Sequence, residues 1–197
     1  MATISLCMIV KNEEAVLGRC LDSAAGLVDE IVVVDTGSTD ATREIATRYA
    51  DRVCEFAWID DFAAARNFAF AQASMEYCMW LDADDVFLEE DHKAFLNLKE
   101  TLDPTVSVVM APYHTGFDER GRVTFSYYRE RLIKNRAGMC WVGAVHEVVT
   151  PVGPVLGFRR HPPQDLPLRP RPEPAYLPGP TGCWETAGTP SAVLLRP

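Results

Sequence analysis

The chain has 197 residues, 48 % of them hydrophobic and 24 % charged, which suits a single domain able to build its own core. Its formal net charge of −9 argues against a duplex nucleic-acid binder, which needs a basic stripe to neutralise phosphates. A nucleotide ligand stays open, because a bound cation reverses the local sign.

Ile4–Val10 is a short apolar run and predicts a buried strand. Over 13–25, Val16, Leu17, Cys20, Leu21 and Ala24 recur at helical spacing, with Gly26 as the stop. Glu30–Asp35 is a second, valine-rich strand. The turn Thr36-Gly37-Ser38-Thr39-Asp40 carries hydroxyls that cap a helix reaching about Ala50. A third strand over 52–56, an alanine-rich helix over 62–73 and a fourth strand over 77–81 follow, the last running into Asp82. Beyond Glu89 the pattern predicts a helix to about Leu102 and a strand over 106–111. Residues 124–134 alternate loosely and suggest a hairpin or paired strands, and the run 141–147 comes after them.

Strands alternating with helices of this length signal an α/β fold, a mainly parallel sheet wrapped by helices. Ligands of such sheets bind outside the carboxyl ends of the strands. Lys11, Asn12 and Glu13 stand at the first of those ends, Asp35 at the second, and Asp82 to Asp85 at the fourth.

Asp82-Ala83-Asp84-Asp85 is the main chemical signal. Carboxylates this close repel one another unless a cation intervenes. Mg²⁺ or Mn²⁺ suits them, being held by one or two carboxylates together with substrate phosphates. A calcium loop fails, since its sixth position would be Phe87 and its twelfth Lys93. A solvated loop capping the next helix is the plain alternative. Asp35 suits a base N–H or a ribose hydroxyl, or else only caps a turn. Arg66 suits a phosphate or a base, or else an ion pair with Asp60 and Asp61. In the run Trp141 to Glu147, His146 suits a metal and Glu147 a general base.

The six cysteines, at 7, 20, 54, 78, 140 and 183, include no CxxC pair. All are expected to be buried thiols of a reducing compartment. There is no signal-like N-terminus, and no apolar run approaches the ~20 residues that span a bilayer. The expected setting is cytoplasmic.

Together, 5–14, 33–40, 62–67, 80–85 and 141–147 resemble the family 2 glycosyltransferases, closest to the bacterial branch whose catalytic domain is often followed by helical repeats of TPR type. The resemblance covers residues 3 to about 156. It implies a GT-A fold with a small acceptor-side β region, a nucleotide-sugar donor such as a UDP-sugar, and inversion at the anomeric carbon. Val10, Lys11 and Glu13 would lie at the ribose or base, Asp35 at the base, and Arg66 towards the nucleotide. Asp82 and Asp84 match the family's Asp-x-Asp: Asp82 tends to hold the ribose and contributes to the metal site, Asp84 holds the metal, and Ala83 lies along the donor. Asp85 would support catalysis, His146 would reach the metal or pyrophosphate, and Glu147 would be the base.

The acceptor is open among a glycan, a lipid-linked sugar and a protein, in cell-surface glycan or glycoconjugate synthesis. The inner face of the membrane, with peripheral contact, is a further expectation. Two rival readings are a catalytically inactive nucleotide-sugar-binding remnant and a sugar-nucleotide nucleotidyltransferase. The second should carry an early glycine-rich loop, which Lys11 to Glu14 lacks.

The domain is expected over 1–157, with an irregular proline-rich tail over 158–197. Prolines number two in 1–150 and twelve in 151–197, and residues 159–197 hold five Arg against three Asp or Glu. The tail reads as a shifted frame: one base on, permitted wobble choices from Arg171 spell a proline-poor amphipathic helix. A genuine disordered tail is the alternative. The gene sequence is expected to show an uninterrupted helical continuation in that frame, and frequent stop codons there would refute the shift.

Overall fold

A computed structural model describes residues 1–120 and 122–158. Ile4–Val10 (β1) and Glu30–Asp35 (β2) form the centre of the sheet and are buried along nearly their whole length, as near-continuous apolar runs require when both faces are covered. Arg52–Glu55 (β3) pairs parallel to β2, and Tyr77–Met79 (β4) parallel to β1. Leu17–Ala24 (α1) buries Leu17, Cys20, Leu21 and Ala24, one face of a helix, and Gly26 ends the segment at φ +74°. Thr42–Tyr49 (α2), Phe62–Ala71 (α3) and Glu89–Thr101 (α4) complete the helices. Asp61 caps α3, its carboxylate accepting from Ala64 N at 2.9 Å.

The sheet has seven strands in the order β3-β2-β1-β4-β6-β5-β9. Val123–Lys134 (β6) pairs antiparallel with β4 and with Val108–Phe117 (β5), and Val155–Gly157 (β9) lies parallel to β5. Trp141–Val142 (β7) and Val148–Val149 (β8) make a separate short ribbon. One face of the sheet packs Leu6, Met8, Met79 and Leu132 against α1, α2 and α4. The other packs Val32, Val34, Cys78 and Trp80 against α3 and the ribbon. This is the expected α/β architecture, a mainly parallel sheet flanked by helices.

Three details depart from the sequence reading. The strand expected over 106–111 runs on to Phe117, and the loosely alternating segment is a single strand paired to it rather than a hairpin in itself. Pro112 is tolerated because it lies beyond the three β5 residues that pair with β9, where the edge is open. Cys7, Cys20, Cys54 and Cys78 are buried free thiols as expected, but Cys140 is disulfide-bonded. Phe158, the first residue of the expected tail, packs against the core, and the shifted-frame reading from Arg171 concerns residues outside those described.

Two buried charges lock the end of the sheet away from the strand tips. Lys99 donates to Leu27 O at 2.9 Å and to Asp29 at 2.8 Å, sealing α4 to the sheet. Glu30 accepts from Ser5 Oγ at 2.5 Å, Ser74 N at 2.8 Å and Ser74 Oγ at 2.9 Å. Burial alone would raise its pKa, but these donors and Arg52 hold it below the ordinary carboxylate value. Glu30→Ala strands three donors and is expected to cost about 2 kcal/mol in urea unfolding at pH 7. Because the folded pKa is depressed, the contribution is complete above the unfolded value and fades as pH falls through the folded one. The gap between wild type and variant should therefore narrow below about pH 4.

Candidate active site

The chain passes from β1 to β2 and β3 on one side, then returns to place β4 on the other side of β1. This reversal opens a crevice at the carboxyl ends of β1 and β4, the usual ligand position in an open α/β sheet. The loops after β1 and β2 line one side of it and are pinned together. Asn12, at φ +55°, donates from its N–H to Ser38 Oγ at 2.9 Å and accepts from Thr39 N at 2.8 Å. Glu13 N donates to Thr42 Oγ1 at 2.7 Å. Val10 is buried, and its carbonyl accepts from Thr36 N at 2.9 Å. Asp35 is 2 % exposed and accepts from Gly37 N at 3.2 Å and Ser38 N at 3.1 Å, so it shapes this loop from within. Lys11 is exposed.

The acidic turn after β4 stands on the other side. Asp85 N donates to Asp82 O at 3.0 Å, and Asp82 N to Asp85 Oδ2 at 3.1 Å, which closes the turn on itself. Arg131 reaches in from β6, donating to Trp80 O at 2.9 Å and to Asp85 Oδ2 at 3.4 Å. Burial raises the pKa of Asp85 and outweighs the attraction of Arg131. From α1, Arg19 donates to Asp84 O at 3.2 Å, the Cys20 thiol to Asp82 O at 3.5 Å, and Ser23 Oγ accepts from Phe87 N at 3.0 Å. Ala83 is buried beneath the turn, while Asp84 is exposed at its tip.

Arg66 joins the turn to the run 141–147. It is 5 % exposed, on the buried face of α3. Its Nε donates to Glu147 Oε1 at 2.6 Å and its Nη2 to Asp82 Oδ1 at 2.9 Å. Its guanidinium lies over Trp80 at 4.5 Å and Trp141 at 5.2 Å. Asn67 binds both the N–H and the carbonyl of Trp141, at 2.8 and 3.0 Å. The consecutive pair Arg66-Asn67 thus clamps one loop at two points. The partners expected as an alternative, Asp60 and Asp61, are engaged elsewhere, by Trp58 and by the helix cap.

Arg66 Nη1 is buried with no hydrogen-bond partner, a donor left unsatisfied beside the acidic turn. Glu13 has its pKa raised by burial first, then by the charges of Asp84, Asp40 and Asp82. Carboxylates from two loops therefore face one another across the crevice, an arrangement a divalent cation relieves. Among the described residues no three His, Cys, Asp or Glu side chains converge as a metal cage. The expected trio of Asp82, Asp84 and His146 does not form such a group among the described residues. His146 sits exposed at φ +57°, while Glu147 beside it is drawn inward by Arg66. What fits the donors present is a hard cation that takes one or two carboxylates here and its other ligands from substrate and water.

The sequence reading missed Arg131, Arg19, Cys20 and Ser23. A signal existed for Arg131 alone, a charged residue running directly into the apolar pair Leu132-Ile133.

A sequence model of the family described as glycosyl transferase family 2 matches residues 5–151. The chain is 38 % identical over 149 residues to a TPR repeat-containing protein of Synechococcus elongatus, covering 76 % of this chain and 36 % of that protein. It is 30 % identical over 163 residues to the lipopolysaccharide core biosynthesis glycosyltransferase LpsC of Rhizobium meliloti, covering 79 % and 60 %. The chain therefore spans less than two thirds of either relative. A crystal structure of glucosyl-3-phosphoglycerate synthase from Mycobacterium tuberculosis, in complex with Mn²⁺, UDP and glucosyl-3-phosphoglycerate, aligns with a TM-score of 0.47 and 25 % identity, over 58 % of this chain and 45 % of that one. The chain belongs to glycosyl transferase family 2. Among the described residues no helix is long and apolar enough to cross a membrane.

The Arg66 clamp makes a quantitative prediction. Arg66→Leu leaves buried Glu147 uncompensated and is expected to lower unfolding stability by about 3 kcal/mol. Adding Glu147→Leu should restore part of that loss, because the second change removes the stranded charge. Strict additivity of the two single variants in urea unfolding would refute the coupling.

Proposed function

We propose that this family 2 domain transfers a sugar from a nucleoside diphosphate sugar, with UDP as the first choice, to an acceptor hydroxyl with inversion. The observation that carries the reading is the division of labour in the acidic turn. Asp82 and Asp85 are held by arginines, while Asp84 is exposed at the tip of the turn, near enough to Glu13 for its charge to raise the Glu13 pKa.

The nucleoside would lie along the loops 10–13 and 35–38, whose backbones are already fixed to each other. Asp35 fits the base through the outer edge of its carboxylate, and Glu13 and Asp82 fit the ribose. Asp84, with the second oxygen of Asp82, would hold Mg²⁺ or Mn²⁺ between the protein and the diphosphate. Bound there, the cation supplies charge stabilisation to the departing diphosphate. The chain's own residues do the rest. Arg66 Nη1 donates to an anionic oxygen of the donor, and its other two nitrogens stay on Asp82 and Glu147. As the bond from the anomeric carbon to the diphosphate oxygen breaks, the carbon becomes oxocarbenium-like. The acceptor oxygen bonds to that carbon from the opposite face, and its proton passes to Glu147. Oε1 of Glu147 is occupied by Arg66, so Oε2 is the atom available as base.

Titration calorimetry of UDP tests the donor side. Affinity should rise about tenfold or more when Mn²⁺ replaces EDTA, and Asp84→Asn should abolish that gain. Equal affinity with metal and with EDTA overturns the metal site. Glu147→Gln should cut turnover by about 10²-fold with UDP affinity kept, and unchanged turnover removes it as the base. Metal-dependent UDP binding with no turnover of any UDP-sugar, transfer or hydrolysis, would identify an inactive remnant.

A further inference from the structure

We propose that the acceptor is a neutral saccharide, seated on the aromatic row Tyr113, Tyr127 and Phe125 that leads out of the cleft beside Asp84. The proposal rests on the glycosyl-transfer reading above and names the class of its second substrate.

A cleft of about 550 Å³ lies between the acidic turn, α4 and the hairpin of β5 and β6. That volume suits a small-molecule ligand, for which pockets run from roughly 300 to 1,000 Å³. Asp84 and Asp85 line one end, Tyr113 is on the wall, and Phe117 and Val123 stand at the hairpin tip. The cleft and the candidate reaction centre share Asp84. A molecule lodged here is therefore continuous with the place where the donor sugar would be opened.

Three features choose the occupant. The first is the ladder of rings. Tyr113 pairs with Tyr127 across the two strands, their rings 5.6 Å apart, and Phe125 continues the row at 5.8 Å from Tyr127. Phe125 is 60 % exposed and Tyr127 39 %, so ring surface stands open to solvent. Residues two apart on a strand are spaced about 7 Å, comparable to the width of a sugar ring. A pyranose offers a flat C–H face to such a ring and keeps its hydroxyls at the edge.

The second feature is His114. Its Nδ1 is buried with no hydrogen-bond partner, and the residue lines the cleft. A hydroxyl ligand satisfies that atom, whereas a hydrocarbon chain leaves it stranded at a cost. The third is charge. Asp84 and Asp85 line the cleft against Arg131, whose guanidinium already holds Asp85. With the proposed cation balanced by the donor diphosphate, the charge of Asp84 is left over, which disfavours a phosphorylated or otherwise anionic acceptor.

The test is saturation-transfer NMR on the full chain in Mg²⁺ and UDP, with UDP affinity measured separately. The probes are the methyl glycosides of glucose, galactose, mannose and N-acetylglucosamine, a hexose 6-phosphate and octanol. At least one neutral glycoside should bind, and the exposed double change Tyr127→Ala/Phe125→Ala should weaken it about tenfold while UDP affinity stays unchanged. His114→Phe should weaken the same glycoside. Preference for the phosphate or for octanol overturns the proposal, as does a double variant that binds as well as wild type. Glycoside binding that appears only after removal of residues 159–197 also overturns it, by making the chain itself the occupant of the cleft. Lost UDP binding strikes the donor reading, and lost glycoside binding with UDP retained strikes this one alone.

Discussion

A guanidinium without water must be surrounded by acceptors, and Arg66 is where this site meets that demand. Its side chain is 6 % exposed. Burying such a charge unpaired is prohibitive, so Asp82, Glu147 and the faces of Trp80 and Trp141 are drawn to it from two separate stretches of chain. That need explains positions that look unrelated along the sequence. Trp80 directly follows the fourth strand, Trp141 opens the ribbon, and the two indoles meet edge to face at 5.5 Å. Glu147 is brought inward although Val145 and His146 before it are exposed. The site is assembled around a cation the protein supplies itself, before any ligand arrives.

The same electrostatic logic divides the acidic turn. Three carboxylates within four residues cannot all be left bare in a partly buried crevice. Arg66 takes Asp82 from the α3 side of the sheet, and Arg131 takes Asp85 from the side of α4. Three arginines, Arg66, Arg129 and Arg131, lie within 5 Å of the Trp80 ring centre, so the indole separates cations that would otherwise repel. Asp84 receives no such partner. Its backbone is held by Arg19, but its carboxylate faces the crevice and the like charge of Glu13. A site that neutralises two of three neighbouring charges and leaves the third is set up for a ligand that brings positive charge.

The parallel half of the fold was legible because its two inner strands, β1 and β2, are apolar runs closed by polar residues. Periodicity alone therefore placed Ile4–Val10 and Glu30–Asp35 to the residue. Beyond Val108 it failed, because β6 has irregular registers with β5 and exposes aromatic residues on both faces, so alternation no longer reports which side is buried. At the site, the carboxylates were readable from their positions at strand ends. Their partners were not: Arg131 reaches Asp85 across 46 residues and Cys20 reaches Asp82 across 62, and no local spacing encodes such meetings. The adjacent pair His146 and Glu147 looked like a unit in sequence. The left-handed backbone at His146 gives the two side chains opposite environments.

The acidic turn also connects the two faces of the sheet. On the α3 face lie Arg66, Glu147 and the tryptophans; on the α4 face lie Tyr113 and the cleft, and Arg131 touches both, lining the cleft with its guanidinium over Trp80. The sheet itself separates these environments, and its core residues Met79 and Trp80 point to opposite sides. Only beyond the carboxyl end of β4, where the ladder stops at Met79, can a ligand on one side meet a ligand on the other. Asp82 and Asp85, tied to opposite faces, bracket that opening, and Asp84 stands between them. A two-substrate reaction needs such a point, because the reacting atoms must approach within bonding distance while the rest of each substrate is held apart. Bracing the turn from both faces fixes Asp84 relative to both, so neither substrate has to organise it on arrival. In the proposed transfer, alignment of the two substrates would depend on the rigidity of four residues, and that rigidity comes from arginines rooted in the two layers the turn joins.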